Sequence, residues 1–410
     1  MSSTWKPNKI SNLGVVITGS TPKTAIKEYY GGHYKLISPA DLDNGKYIKT
    51  AHKLITEKGL SVSRILPKDT VLVGCIGNIG KIGMTIDEKS ATNQQINALI
   101  CNESNNPEFI YYLFSYYRNL FQERASITTL PILNKSSFEN IELPVPDLHL
   151  QLKISTILSL IQQAIEQQDK IIETTTELIK SLMQKLFTEG MNGEPQKETE
   201  IGLIPESWDV GKIGDECSVL SSSMSYTQLE SSKNDSDGIT VIGIKVSDMN
   251  LDGNEIEIKE ANLTKSIPEA IASKRCLRPN VLIFPKRGAA IATNKKRVVL
   301  KESVLDPNLI AIFPLEKVKL KYLFYWFETF DLKSITDPGP TPQLNKKDLT
   351  PLLFPLPDVK EQIQISTILD NLVRKITIQT IKKNYLSDLF NSMLHQLMSG
   401  ELRVDNINLN

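Results

Sequence analysis

Residues Leu143–Leu158 read LPVPDLHLQLKISTIL and run on to LMQKLFTEG at Leu182–Gly190; residues Phe354–Leu369 read FPLPDVKEQIQISTIL and run on to MLHQLMSGE at Met393–Glu401. Pro144, Pro146, Asp147, Gln151 and Ile154–Leu158 are matched by Pro355, Pro357, Asp358, Gln362 and Ile365–Leu369 at a constant shift of 211 residues (355 less 144). An internal repeat fixes the organisation of a chain before any fold is considered. Here it gives one design twice, a variable front half followed by a long helix.

The helices follow from period. The first seam is Ile154, Leu158, Ile161, Ile165, Gln168, Ile172, Thr175, Ile179, Leu182 and Leu186, in alternating steps of four and three. The second is Ile365, Leu369, Leu372, Ile376, Gln379, Lys383, Leu386, Phe390, Met393 and Leu397. Sustained heptads mark a coiled coil. The prolines force an extended approach, Asp147 and Asp358 are placed to cap the first turns, and Glu361 would complete a capping box where the first copy has Leu150. Gly190 and Gly400 stand where the helices should end. One apolar seam per helix requires a partner. The expected arrangement is antiparallel, with Ile154 facing Leu397 and Gln168 facing Lys383. The mid-seam polar residues either fix register or are mildly unfavourable positions without a role.

Length predicts two or three domains. No run is long enough to span a membrane, and MSSTWKPNKI holds no apolar signal segment. Cys75, Cys101, Cys217 and Cys276 lie far apart, which disfavours a zinc site or a disulfide framework and points to a reducing cytoplasm. The formal net charge is zero. Free-standing nucleic-acid binders are more often basic, so a DNA role must rest on local patches or on partners that bring charge.

Along the chain, VVITGSTPKT, YKLISPADLDNGKYI and ILPKDTVLVGCIGNIGKIGMTI read as strands and turns, and PEFIYYLFSYYRNLFQERA as an aromatic helix. MNGEPQKETE reads as a linker. The pattern then restarts at Trp208, where WDVGKIG echoes the opening WKPNKIS; VLIFPKRGAAIAT takes the place of VLVGCIGNIGKIG, KLKYLFYWFETF that of PEFIYYLFSYY with Tyr322 matching Tyr111, and PQLNKK that of PILNKS. The fold class expected is α+β with a pseudo-twofold repeat: a mixed domain over residues 1–146, a long helix over 147–190, a linker over 191–203, a second mixed domain over 204–357, a second long helix over 358–400 and a tail over 401–410.

Little of the chemistry is catalytic. Gly74, Gly77, Gly80 and Lys81 resemble a phosphate loop, but Cys75 stands where that loop needs glycine and Ile82 where it needs Ser or Thr. A tight turn is the plainer reading; the other is a loop bringing Asn78 and Lys81 to a nucleic-acid backbone. Lys274, Arg275, Arg278, Lys286, Arg287, Lys295, Lys296, Arg297 and Lys301 fall in one stretch without an intervening acid. That run is either a solvated surface or a DNA-facing patch. Arginine and lysine suit phosphate or guanine and glutamine suits adenine, so Gln94, Gln95 and Gln343 are candidate base readers, with Lys135 and Lys346 beside the same loops. Each also fits an ordinary polar loop. The four histidines stand alone, without metal or triad spacing.

In its twofold layout, Ile204-Pro205 and Trp208 opening the second half, PLPDVKEQ at Pro355–Gln362 entering a long helix, and VLVGCIGNIGKIG followed by NQQINAL, the chain resembles the specificity (S) subunit of type I restriction–modification enzymes. The resemblance implies two mixed α/β target-recognition domains, each reading one half of a split double-stranded DNA site. It implies an antiparallel coiled coil that docks two methyltransferase (M) subunits, which methylate adenine. Restriction (R) subunits would join them. S-adenosylmethionine, ATP and Mg would belong to those partners, leaving this chain non-catalytic, and the modified adenine must leave the base stack, a task for the M subunit. Helices of 35–40 residues would make a rod of roughly 55–60 Å, enough to serve major grooves about one turn or more apart. The rival readings are a specificity subunit serving methylation alone and a coiled-coil scaffold that binds no DNA.

Overall fold

The computed structural model describes residues 5–43, 45–126, 130–336, 339 and 342–404. The first four residues of the opening segment and residues 405–410 of the expected tail lie outside it. The chain divides into two compact units, Met1–Lys170 with Thr380–Asn410, and Ile171–Gln379. Each long helix is therefore shared between units, where the sequence had set the helices apart from the mixed domains. The reason is packing: each half-helix buries its seam in the hydrophobic core of one unit.

In the first unit, Lys6–Lys9 pairs antiparallel with Glu142–Val145, the strand that leads into the first long helix. A four-stranded antiparallel sheet follows in the order Gly14–Thr18, Ile96–Cys101, Val71–Gly74, Ile82–Met84. A three-stranded sheet has Tyr30–Ile37 between antiparallel Leu54–Ile55 and parallel Ala91–Thr92. The second unit repeats this strand for strand. Asp209–Lys212 pairs with Leu353–Leu356. The four-stranded sheet runs Cys217–Leu220, Leu309–Pro314, Val281–Pro285, Arg297–Val299, and the three-stranded sheet has Ile239–Ile244 between Leu263–Ile267 and Ser303–Leu305. The β-branched and leucine runs VLV and VLIF, buried throughout, place both central strands inside.

The long helices run Leu148–Thr188 and Val359–Ser399. In the first unit Ile154 and Leu158 are buried in one cluster with Leu397 and Met398, against which Phe390, Met393 and Leu394 pack; Lys383 forms an ion pair with Asp169. In the second unit Met183, Leu186 and Phe187 share a cluster with Ile365 and Leu369, flanked by Ile179, Leu182 and Val373. Early turns of one helix thus meet late turns of the other in both units, an antiparallel pairing. Mid-seam positions Ile161, Ile165, Leu372 and Ile376 are only half-buried, while Gln168 and Thr175 are each 5 % exposed. Gly190 and Gly400 take the left-handed conformation, φ +65° and +77°, that ends a helix without a side-chain clash.

Three expectations are corrected. Asp147 and Asp358 cap as read, accepting the N–H of Leu150 at 3.0 Å and of Glu361 at 2.7 Å. Glu361 does not close a capping box: its carboxylate accepts from the Met191 N–H and the buried Trp208 indole N–H, both at 2.8 Å, because the chain leaving the first long helix offers it these two donors. The stretch read as a linker contains the strand Gln196–Thr199, which forms a hairpin with Gly202–Pro205. The aromatic helices Pro107–Tyr116 and Leu320–Glu328 correspond at a shift of 213, not the 211 that matched Tyr111 with Tyr322. Gln151 accepts the N–H of Asn106 and Gln362 that of Lys319, each at 2.8 Å (319 less 106).

Candidate nucleic-acid interface

In each unit three loops, distant in sequence, are tied together at the end of the central strand by backbone hydrogen bonds. In the first, Cys75 N–H donates to Gln95 O at 2.8 Å, Leu133 N–H to Cys75 O at 2.8 Å and Gly77 N–H to Pro131 O at 3.1 Å. In the second, Lys286 N–H donates to Asn308 O at 2.7 Å, Leu344 N–H to Lys286 O at 2.9 Å and Gly288 N–H to Pro342 O at 2.9 Å. The junction is the same, and what it presents differs. Ile76 pairs across an isolated bridge with Ile132 in one, Arg287 with Gln343 in the other.

The glycine run is the tight turn its spacing allowed, with Gly77 and Gly80 at φ +71° and +82°. Gly74 N–H donates to Lys81 O at 2.8 Å, closing the loop on itself. Beside it lies an open cavity of about 430 Å³ lined by Asp43, Asn78, Lys81, Arg118, Gln122 and Pro131 among others. Arg118 is held there by an ion pair with Asp43 at 2.8 Å; it stands in the aromatic region of the sequence, where nothing marked it as a site residue. Gln94 is exposed and its carbonyl accepts from Thr21 Oγ1 at 2.6 Å; Gln95 is half-buried and accepts from Asn93 Nδ2 at 3.0 Å. Lys135 opens the short helix Lys135–Glu139 after Asn134, which caps it through the Ser137 N–H at 2.8 Å.

In the second unit the structure brings Lys286, Arg287, Gln343 and Lys346 to the same junction. Arg287, Gln343 and Lys346 are exposed, Lys286 is half-buried, and none of these cations has an ion-pair partner among the described residues. The other basic residues have separate anchors. Arg275 donates to Gln228 Oε1 at 2.9 Å at the end of the helix Glu269–Arg275, with Lys274 exposed beside it; Arg278 stacks over the Phe313 ring at 3.4 Å; Lys295 donates to Asn250 Oδ1. Lys301 donates to Lys259 O at 2.9 Å.

Lys296 and Arg297 do not belong to a surface patch. Lys296 is 0 % exposed and donates to Phe330 O at 2.9 Å; Arg297 is 9 % exposed and donates to Lys296 O and Met249 O. They enter the strand Arg297–Val299, where pairing with Val281–Ile283 carries them inside. Burial pushes the Lys296 amine down to about 8 against the opposing pull of Glu328 and Asp331. Among the junction residues, Asn308, fixed by Asp306 Oδ1 at 2.8 Å, was not singled out in the sequence. Its counterpart is Gln95 at the shifted register of 213, the only signal that could have found it.

Among the described residues no cluster of three or more His, Cys, Asp or Glu side chains could hold a metal ion, and no helix is long and apolar enough to cross a membrane. Burial raises the four thiols, Cys75 to about 11 and Cys101 and Cys217 to about 12, so none is poised as a nucleophile.

Comparison with known proteins places the arrangement. The family model described as type I restriction modification DNA specificity domain matches twice, over residues 2–175 and 205–387. The type I restriction enzyme MjaIX specificity subunit of Methanocaldococcus jannaschii is 27% identical over 429 residues, covering 98% of this chain and 94% of that relative. The HindI specificity subunit of Haemophilus influenzae is 31% identical over 147 residues, covering 35% of this chain and 32% of its own. In fold, the chain is similar to the S subunit of a type I restriction–modification system from M. genitalium, with a TM-score of 0.60 at 14% identity over 96% of both chains. It is also similar to a chain from a structural study of complex assembly and conformational transition in the type I R-M system, with a TM-score of 0.54 at 15% identity over 98% of this chain and 100% of that one.

Proposed function

Since the chain belongs to the type I restriction modification DNA specificity domain family, we propose that it is the DNA-recognition subunit of a type I restriction–modification enzyme and that each unit reads one half of a bipartite duplex target. The observation that carries the bipartite reading is the repeated three-loop junction. Its backbone is kept while the residues facing each other across it change from half-buried Ile76 and exposed Ile132 to exposed Arg287 and Gln343. Apolar side chains suit the thymine methyl, arginine suits guanine O6 and N7, and glutamine suits adenine. One frame with two surfaces is what two unlike half-sites require.

The long helices would dock two methyltransferase subunits. Leu152 and Ile363 are 46% and 49% exposed, Leu178 and Leu389 49% and 46%. Each pair is related by the shift of 211, so the same apolar positions stand open twice. Exposed apolar residues repeated in this way favour two copies of one partner. Transfer of the methyl group from S-adenosylmethionine to adenine, and any ATP- and Mg-dependent cleavage with restriction subunits, would be those partners' chemistry; this chain's part is to bind and position, in the cytoplasm where the chromosome lies.

The test is binding of the complex with its methyltransferase partner to duplex DNA over a range of salt, coupled to methylome sequencing of the source cell. The expected result is an adenine-modified motif of two short sequences around an unread spacer, bound with a steep salt dependence. A short uninterrupted motif would remove the bipartite reading, and absence of DNA binding would leave the scaffold reading. Recovery of a restriction subunit with the complex separates the restriction system from one that serves methylation alone.

A further inference from the structure

Each long helix begins with a glutamine that is almost wholly buried, Gln151 at 1 % and Gln362 at 0 % exposed. Three of their contacts are equivalent. Gln151 Oε1 accepts the N–H of Asn106, the residue before the aromatic helix Pro107–Tyr116, at 2.8 Å; its Nε2 donates to Pro146 O at 2.9 Å and to Ser104 O at 3.4 Å, with a further contact to Asn105 Oδ1 at 3.3 Å. Gln362 Oε1 accepts the N–H of Lys319, before the helix Leu320–Glu328, at 2.8 Å; its Nε2 donates to Pro357 O and Lys317 O, both at 2.9 Å. One amide thus ties the start of the long helix to the strand entering it and to the mixed domain.

A second tie lies eight residues further along each helix, about 12 Å at 1.5 Å per residue. Ser159 bonds the Tyr112 hydroxyl at 3.1 Å and donates to Glu108 Oε2 at 2.8 Å, with Lys46 joining Glu108 at 2.8 Å. Asp370 accepts from the Tyr325 hydroxyl at 2.6 Å and pairs with Lys321 at 3.2 Å. Glu108 and Lys321 occupy equivalent positions with opposite charge, so the chemistry of this tie has changed while its place has not. One tie leaves a body free to swing about it; two along the same helix fix its direction.

We infer that Gln151 and Gln362 are positioning residues: each holds its reading domain at a fixed angle on the long helix, and through that angle sets how strictly the enzyme discriminates the length of the unread spacer. The inference rests on the bipartite reading above. It follows from the geometry, since neither amide lies at the three-loop junction and both, one contact with Asn105 Oδ1 apart, are spent on main-chain atoms where helix and domain meet. A loosened domain keeps its loops and reaches neighbouring spacer lengths.

The experiment uses the full chain in complex with its methyltransferase partner. Duplexes carry the native half-sites at the native spacer and at spacers one base pair shorter and longer, and adenine modification is followed. With Gln151→Leu or Gln362→Leu, the preference for the native spacer should fall by about tenfold, the scale of one buried hydrogen bond, with base preferences in both half-sites unchanged. Gln362→Glu, which keeps the acceptor but turns a carboxyl oxygen on the carbonyls of Pro357 and Lys317, should lower the preference at least as far as the leucine variant. Unchanged spacer discrimination in the variants would overturn the proposal. So would loss of modification at every spacer in both the leucine and glutamate variants, which would make the glutamine a folding residue alone. A wild-type complex indifferent to spacer length would instead overturn the bipartite reading.

Discussion

Arg287 and Lys296 lie nine positions apart in one basic run, and their surroundings set them to different work. Arg287 is exposed at the three-loop junction opposite Gln343, whereas the Lys296 amine is enclosed against Phe330 O. Arg287→Ala should weaken specific binding by about 1–3 kcal/mol and relax one base position in one half-site; Lys296→Met should leave affinity unchanged. Titrating both complexes with labelled duplex at fixed salt checks this. Lys296 also carries a pH signature. Its folded value of about 8 lies below the ordinary 10.5, so the unfolded chain binds the extra proton between those limits and stability gains from this group as pH rises through them. Urea midpoints at pH 7 and pH 10 should show that gain in the wild type and its loss in Lys296→Met. The sequence could not divide the run, because a turn residue and the first residue of an inward strand carry the same charge. Only pairing with Val281–Ile283 decides which side chains are enclosed.

The long helices were legible down to their caps, because a seam at heptad spacing cannot be satisfied by a strand or a loop. What period could not show was how Glu361 would be used, since its two donors, Met191 and Trp208, come from a segment more than 150 residues earlier. The seam itself holds a defect. Gln168 is 5 % exposed and its carbonyl oxygen has no hydrogen-bond partner among the described residues. Gln168→Leu should raise the unfolding free energy by about 1–3 kcal/mol, the usual cost of an unmet buried polar group, as read from urea unfolding. On the open side of the helices, if two methyltransferase copies dock as proposed, Leu178→Lys and Leu389→Lys should each remove one of them. Native mass spectrometry of the assembled complex would then show one copy for either single variant and none for the double.

For the molecule as a whole, the proposed function makes helix length a functional quantity. One heptad inserted in both long helices adds about 10 Å, close to three base-pair steps, and keeps the seam on its face. The modified motif should then gain spacer length with both half-sites intact, which methylome sequencing reads directly; altered half-sites would show that the helices do more than measure. The repeat behind this argument was plain in the sequence, but not its full register. Two residues are gained between Lys286 and Asn308 and given back before Pro342, so the aromatic helices and the loop of Gln95 and Asn308 correspond at 213, the loops of Cys75 and Leu133 and the long helices keep 211, and the opening strands Lys6–Lys9 and Asp209–Lys212 stand 203 apart (209 less 6). The loops of the junction could be matched between the halves, but their meeting left no trace in the sequence, because backbone hydrogen bonds between residues such as Cys75 and Leu133 require no particular side chain.

The glutamine ties have a consequence for how such a chain acquires a new target. Gln151 and Gln362 each take hold of a main-chain N–H, an atom that every residue but proline supplies. A foreign recognition module whose backbone ends at the same point would be gripped equally well by the glutamine, whatever its composition. Novel addresses on the genome are thereby open to transplantation, with repair of the receiving stalk confined to the second tie, where Ser159 meets Glu108 and Asp370 meets Lys321.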